Sequence, residues 1–183
     1  PISSDLDVPS AAPDRRIGVM LPRDLPPHEV LDFARRADEL GFDELWVIED
    51  LGFRGGVAQA AAVLAVTSRI TVGLGIAPAA ARHAAFAAME IATLGQLFPG
   101  RFVAGLGHGM PEWMRSLGLW PASPLTLLEE TATAVRSVLR GEAVPQGRYV
   151  TLEHEEFLEL PDVVPPVLLG VRGPRSLALS GRI

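Results

Sequence analysis

The chain has 183 residues, is 48% hydrophobic and 21% charged, and carries a formal net charge of -6. One domain, or a large part of one, fits that length, and the composition excludes disorder, a collagen-like repeat and a coiled coil. Cysteine is absent, which removes disulfides, zinc–cysteine sites and thiol nucleophiles and fits a reducing, cytoplasmic setting. All 16 basic residues are arginine, so neither a P-loop lysine nor a Schiff-base lysine exists. The acidic balance without a basic run argues against nucleic acid. The most apolar stretch, Val72 to Met89, carries Pro78, Arg82 and His83 near its middle, and a buried arginine makes it a poor membrane span.

Residues 1–14, rich in Pro, Ser and Asp, read as a flexible tail without the basic start and apolar run of a signal peptide. A strand follows at Ile17 to Leu21, then a helix from His28 to Leu40 with Gly41 as its stop. Leu45 to Ile48 is a second strand, closed by Glu49 and Asp50. An Ala-rich helix spans Val57 to Val66, and a third strand runs from Ile70 to Ile76. A helix at Ala84 to Leu97 leads through the Phe98-Pro99-Gly100-Arg101 turn into a fourth strand, Phe102 to Leu106. A loop carrying Trp113, Leu117, Leu119 and Trp120 comes next, as a lid or a subunit contact. Ser123 and Pro124 then cap a helix with Leu125, Leu128, Ala132, Val135 and Leu139 on one face. Residues 143–160 read as an inserted hairpin turning at Gly147. Val167 to Val171 is a fifth strand, and another helix starts at Arg175.

Strand followed by helix, repeated into a fifth unit, means parallel βα units. The strands are apolar on both faces, as in a sheet covered on both sides. A doubly wound open sheet and a (β/α)8 barrel both satisfy this pattern.

Gly105-Leu106-Gly107-His108-Gly109 begins like a dinucleotide fingerprint, but Met110 and Pro111 follow and the last glycine is missing. There is no G-x-S-x-G elbow and no H-E-x-x-H. His28, His83, His108 and His154 are too scattered for a metal site. Polar residues gather instead where strands end: Glu49 and Asp50, Gly75 to Pro78, His108, and Arg172 to Ser176. Both architectures bind ligands at that edge.

Three longer stretches, Gly41 to Asp50, Thr67 to Ile76 and Ala92 to Phe102, with Gly147-Arg148-Tyr149, Pro165-Pro166 and Gly170 to Ser176, carry a resemblance. Together they resemble the bacterial-luciferase-like monooxygenase family, in the branch that uses the deazaflavin coenzyme F420. The resemblance implies an α/β fold of TIM-barrel type, of which residues 15–183 are about the first five βα units. On that reading the chain is a fragment, a truncation or an incompletely traced protein, with two unpaired strand edges. It implies a flavin- or deazaflavin-dependent oxidoreductase moving hydride between coenzyme F420, or FMN, and a small organic substrate, in a homo-oligomer. A catalytically silent flavin-binding or structural half-barrel is the alternative, and a phosphosugar-binding barrel fragment a third reading.

Residue by residue, the resemblance puts Glu49 and Asp50 where the family usually has Asp-His beside the reactive ring. A general acid at Asp50 would need a desolvated setting; otherwise Asp50 caps the next helix. Gly75–Ile76 matches the family's non-prolyl cis peptide behind the ring, and Ala77 and Gly107 join it in coenzyme binding. His108 faces the ring or substrate. Gly173, Pro174, Arg175 and Ser176 match the place where backbone amides hold the coenzyme's phosphate. His83 reads as structural.

Overall fold

The computed structural model of this chain describes residues 15–153 and 159–183. The expected tail over 1–14 and residues 154–158 of the expected hairpin lie outside them. Strands β1 (Gly18–Met20), β2 (Glu44–Val47), β3 (Thr71–Pro78), β4 (Phe102–Gly107) and β5 (Val167–Gly170) form one parallel sheet. Its order is β1-β2-β3-β4-β5, without the reversal that marks a doubly wound sheet. Right-handed crossovers between successive neighbours put the connecting helices α1, α2, α3 and α5 on the same face, and that is barrel geometry.

A turn of 3-10 helix at Pro27–Glu29 opens the first connection, before α1 (Val30–Glu39). Gly41, at φ 87°, provides the left-handed residue that ends it. The others are α2 (Gly56–Val66), α3 (Ala84–Leu97), α4 (Pro111–Ser116), α5 (Pro124–Arg140) and α6 (Pro174–Ser180). Ser123 stands at the start of α5 as expected, yet its hydroxyl meets Thr126 Oγ1 at 2.7 Å rather than a backbone amide. His83 is a true cap, with Nδ1 accepting from the Ala85 amide at 3.2 Å.

The core lies between sheet and helices. Leu45, Val47, Val72, Leu74, Phe102 and Ala104 point into it and are buried, packed by residues such as Ala60, Val63, Leu128 and Val135. The alternate residues form the opposite face, which is open in this chain: Met20 is 62% exposed and Leu168 48%. The expectation of a sheet covered on both faces therefore holds for one face only, and β1 and β5 are its free edges. Apolar runs alone do not distinguish a face covered by helices from one turned toward a barrel axis.

No strand forms over 143–153, so the described part of the expected hairpin is an irregular loop. It is fastened to α5 by Glu130, whose carboxylate accepts from the amides of Arg148 (2.9 Å), Tyr149 (2.7 Å) and Val150 (3.0 Å). At the other end of the sheet Asp38 takes the amides of Ser68 (2.7 Å), Arg69 (3.2 Å) and Ile70 (2.8 Å). Burial pushes both carboxyls up, but the amides outweigh it and hold both below the usual carboxylate range.

Their stabilisation is thus complete above about pH 5–6, clear of the unfolded-state values, and is lost as pH falls through the lower folded-state values. Changing Glu130 to Gln removes the charge but keeps the shape, and should cost about 2 kcal/mol at pH 7 and less at pH 3. Urea midpoints at the two pH values check this. Equal losses at both would mean that the charge is not what holds the loop.

Candidate active site

Four strand ends meet in one cavity of about 1110 Å³, lined by Glu49 and Asp50 after β2, Gly75, Ile76 and Pro78 of β3, His108 after β4, and Arg172, Gly173, Arg175 and Ser176 after β5. Such a volume slightly exceeds that of an ordinary drug-sized pocket. It suits a large coenzyme with a substrate beside it.

The two carboxylates differ in their commitments. Glu49 Oε1 accepts from Arg82 Nη2 at 2.9 Å and Oε2 from the Gly56 amide at the start of α2 at 3.0 Å. Arg82 also reaches Glu90 at 3.3 Å. Both oxygens of Glu49 are therefore occupied in bracing the rim. Asp50 uses only Oδ2, which accepts from Arg23 Nη1 at 2.7 Å. Its Oδ1 has no partner among the described residues. Arg23 in turn lies over the Phe53 ring, 4.8 Å from its centroid.

Across the cavity, His108 Nε2 sits 3.0 Å from Ser176 Oγ. Burial holds the imidazole below its ordinary value and so neutral at pH 7; the nearby Pro124 carbonyl, which makes no well-aligned hydrogen bond with the ring, works in the opposite direction. Arg172 and Arg175 make no ion pair among the described residues, and the amides of Arg175 and Ser176 in the first turn of α6 have no intrahelical acceptor. Unpaired guanidinium groups beside open amides suit an anionic group such as a phosphate.

A model of the luciferase-like monooxygenases matches residues 11–183. The chain belongs to that family. An F420-dependent glucose-6-phosphate dehydrogenase of Microbacterium testaceum is 34% identical over 170 residues, 86% of this chain and 51% of that protein. Among solved structures, the coenzyme F420-dependent tetrahydromethanopterin reductase of Methanopyrus kandleri superposes with a TM-score of 0.82 at 24% identity, over 92% of this chain and 53% of that one. An F420-dependent secondary alcohol dehydrogenase, in complex with an F420-acetone adduct, does so at 0.81 and 25%, over 91% and 55%. This chain spans about half the length of the proteins it matches.

In this luciferase-like sheet the Gly75–Ile76 peptide is cis, as the resemblance implied. The bond sits where the β3–β4 register shifts between Leu74 and Ala77. The Ile76 side chain is laid across β4 and β5, and glycines clear its path. A Cβ on Gly170 would overlap Ile76 Cγ2, and one on Gly107 would come within 2.9 Å of Ile76 Cδ1. The Gly105-Leu106-Gly107 run is thus spacing for a β3 side chain rather than a phosphate loop.

Three of the expected coenzyme contacts do not line the cavity. Ala77 is 5% exposed and belongs to the helix-facing core, because the register shift returns its side chain to that face. Gly107 is closed off by the Gly170 carbonyl and Ile76. Pro174, the first residue of α6, supplies no amide hydrogen and stands outside the lining.

Sequence reasoning missed Arg54 and Arg82 as parts of the lining, and the helix α4. Arg54 ties the β1 loop down through the carbonyls of Pro22 (3.2 Å), Arg23 (3.0 Å) and Leu25 (3.0 Å). Nothing local signals that reach of about thirty residues. Helix α4 replaces the expected loop: Pro111 starts it, a signal available in the sequence, but six residues are too few to show a period. Met114 anchors it at 3% exposure, while Trp113, Leu117 and Trp120 line the cavity and Leu119 does not.

Proposed function

We propose that this chain carries the coenzyme-binding side of an oxidoreductase that uses F420, or FMN, and exchanges hydride with a small organic substrate. One observation carries the reading: acidic, glycine-cleared and cationic strand ends share a single cavity. The named functions of the relatives support it.

Arg175, with the amides of Arg175 and Ser176, holds the phosphate. His108 is a positioning residue: a neutral imidazole at 3.0 Å fixes the Ser176 hydroxyl toward that anion. When bound, the coenzyme supplies the hydride acceptor or donor. Asp50 moves the accompanying proton. Its free Oδ1 takes the hydroxyl proton as an alcohol becomes a carbonyl, and returns it in the other direction. Glu49 holds the start of α2 and Arg82 in place, so the rim beside Asp50 keeps its shape.

The same reading includes a cytoplasmic homo-oligomer. Phe86, Met89 and Leu97, at 64%, 50% and 65% exposure, form an apolar stripe along α3 for a second copy. Among the described residues no helix is long and apolar enough to cross a membrane.

Comparing FMN with riboflavin, which lacks the phosphate, tests the assignment. Arg175→Ala should weaken FMN by about 1–3 kcal/mol, and His108→Ala by less, with riboflavin nearly unchanged for both. Equal losses for the two ligands would remove the phosphate from this place. No binding of FMN or F420 to the unaltered protein would end the coenzyme reading.

A further inference from the structure

Arg54 lines the cavity, yet its guanidinium is spent on the protein itself. Nε donates to Gln59 Oε1 at 2.7 Å, Nη1 to the Leu25 carbonyl at 3.0 Å, and Nη2 to the carbonyls of Pro22 and Arg23 at 3.2 and 3.0 Å. Gln59 is buried in α2, so the fork is anchored in the packed layer. What it grips is the loop over 22–26, between β1 and the 3-10 turn. Pro22 and Pro26 have no amide hydrogen to fasten that loop. Four hydrogen bonds from one planar group do so instead.

This loop delivers Arg23 to the site. Arg23 Nη1 meets Asp50 Oδ2 at 2.7 Å, and its guanidinium carbon stands 4.8 Å from the Phe53 ring centroid. Phe53 precedes Arg54 in the chain and donates its amide to the Asp50 carbonyl at 3.0 Å. A closed circuit results, running from Arg54 to the Arg23 backbone, along the Arg23 side chain to Asp50, and back through Phe53.

The Arg23–Asp50 pair is partly exposed. Screening and lost rotamer freedom make such a pair weak by itself. Fixing the Arg23 backbone in advance removes part of the entropic cost of forming it. We propose that Arg54 is a positioning residue for Asp50: acting through Arg23, it holds Oδ2 so that the free Oδ1 keeps one orientation in the cavity. Its contribution is geometry rather than charge. The proton that Asp50 carries belongs to the reading above, on which the kinetic consequence rests; the mechanical link stands without it.

The carbon-13 resonance of the Asp50 carboxyl, assigned by its loss in Asp50→Asn, reads that link in the protein without coenzyme. Arg23→Ala should move it. Arg54→Ala should move it at least half as far, and so should Arg54→Lys, because an ammonium keeps the charge but not the planar fork. The lysine variant also serves if Arg54→Ala fails to fold. With a coenzyme and substrate pair whose turnover Asp50→Asn slows, Arg54→Ala should lower kcat at least tenfold and change KM less than threefold. Added to Asp50→Asn, it should lower kcat by less than a further twofold, because coupled groups are not additive. An Asp50 resonance unmoved by Arg23→Ala, or by the Arg54 variants that fold, would overturn the inference, as would kcat losses that multiply in the double variant. The expected resonance shifts in a protein unable to hold FMN or F420 would sink the coenzyme reading alone.

Discussion

On the proposed proton-carrying role, replacing Asp50 with Asn should lower kcat by roughly 10²–10⁴-fold, the range that a positioned acid–base group contributes. The amide keeps the shape of the carboxylate but cannot carry the proton that accompanies hydride transfer. Coenzyme affinity should stay within about twofold, because the proposed phosphate site at Arg175 and Ser176 is on the β5 rim, three strands from Asp50. Stability should change little. The Arg23–Asp50 pair leaves 49% and 25% of its side chains exposed, and such pairs are worth about 0–1 kcal/mol. Glu49→Gln is the informative control. Its oxygens already serve Arg82 and the Gly56 amide, so its loss should reshape the rim and disturb coenzyme binding along with turnover. Coenzyme reduction and reoxidation rates, read beside the dissociation constant, separate the two roles. An unchanged kcat in Asp50→Asn would move the proton to another group.

Phe102→Ala should destabilise the chain by about 3–5 kcal/mol, the usual cost of emptying a large aromatic site in a packed core. Phe102 opens β4 and is paired with Val72. At 1% exposure it is the largest of the fully buried side chains. For a chain of this size the melting temperature should fall by roughly 6–20 °C. Met20→Ala, on the other face of the same sheet and 62% exposed, should cost about 1 kcal/mol or less. Similar losses at both positions, in thermal and urea unfolding, would contradict a core confined to the helix side.

The order of elements could be read from the residues because each depends on local signals. Val30, Ala34 and Ala37 recur at helical spacing and prove to be buried. Gly41 and Gly100 fall where the chain takes positive φ. Short apolar runs between them pair in parallel as expected. The rim positions followed for the same reason: in a parallel βα arrangement the residue after each strand must lie at one edge, so Glu49, Asp50, His108 and Arg175 share it.

What no local pattern encodes is how one strand end meets another. Glu49 and Asp50 are adjacent acids in the sequence, and only contacts with Gly56, Arg82 and Arg23 make one a brace and leave the other a free oxygen. His108 and Ser176 are 68 residues apart. Gly107 and Gly170 match ordinary turn chemistry until Ile76 is laid across them. Periodicity and turn preference arise within a few residues along the backbone, so one chain read in order contains them. Side-chain partnership depends on distances that exist only after the sheet has curved and brought separate rims together.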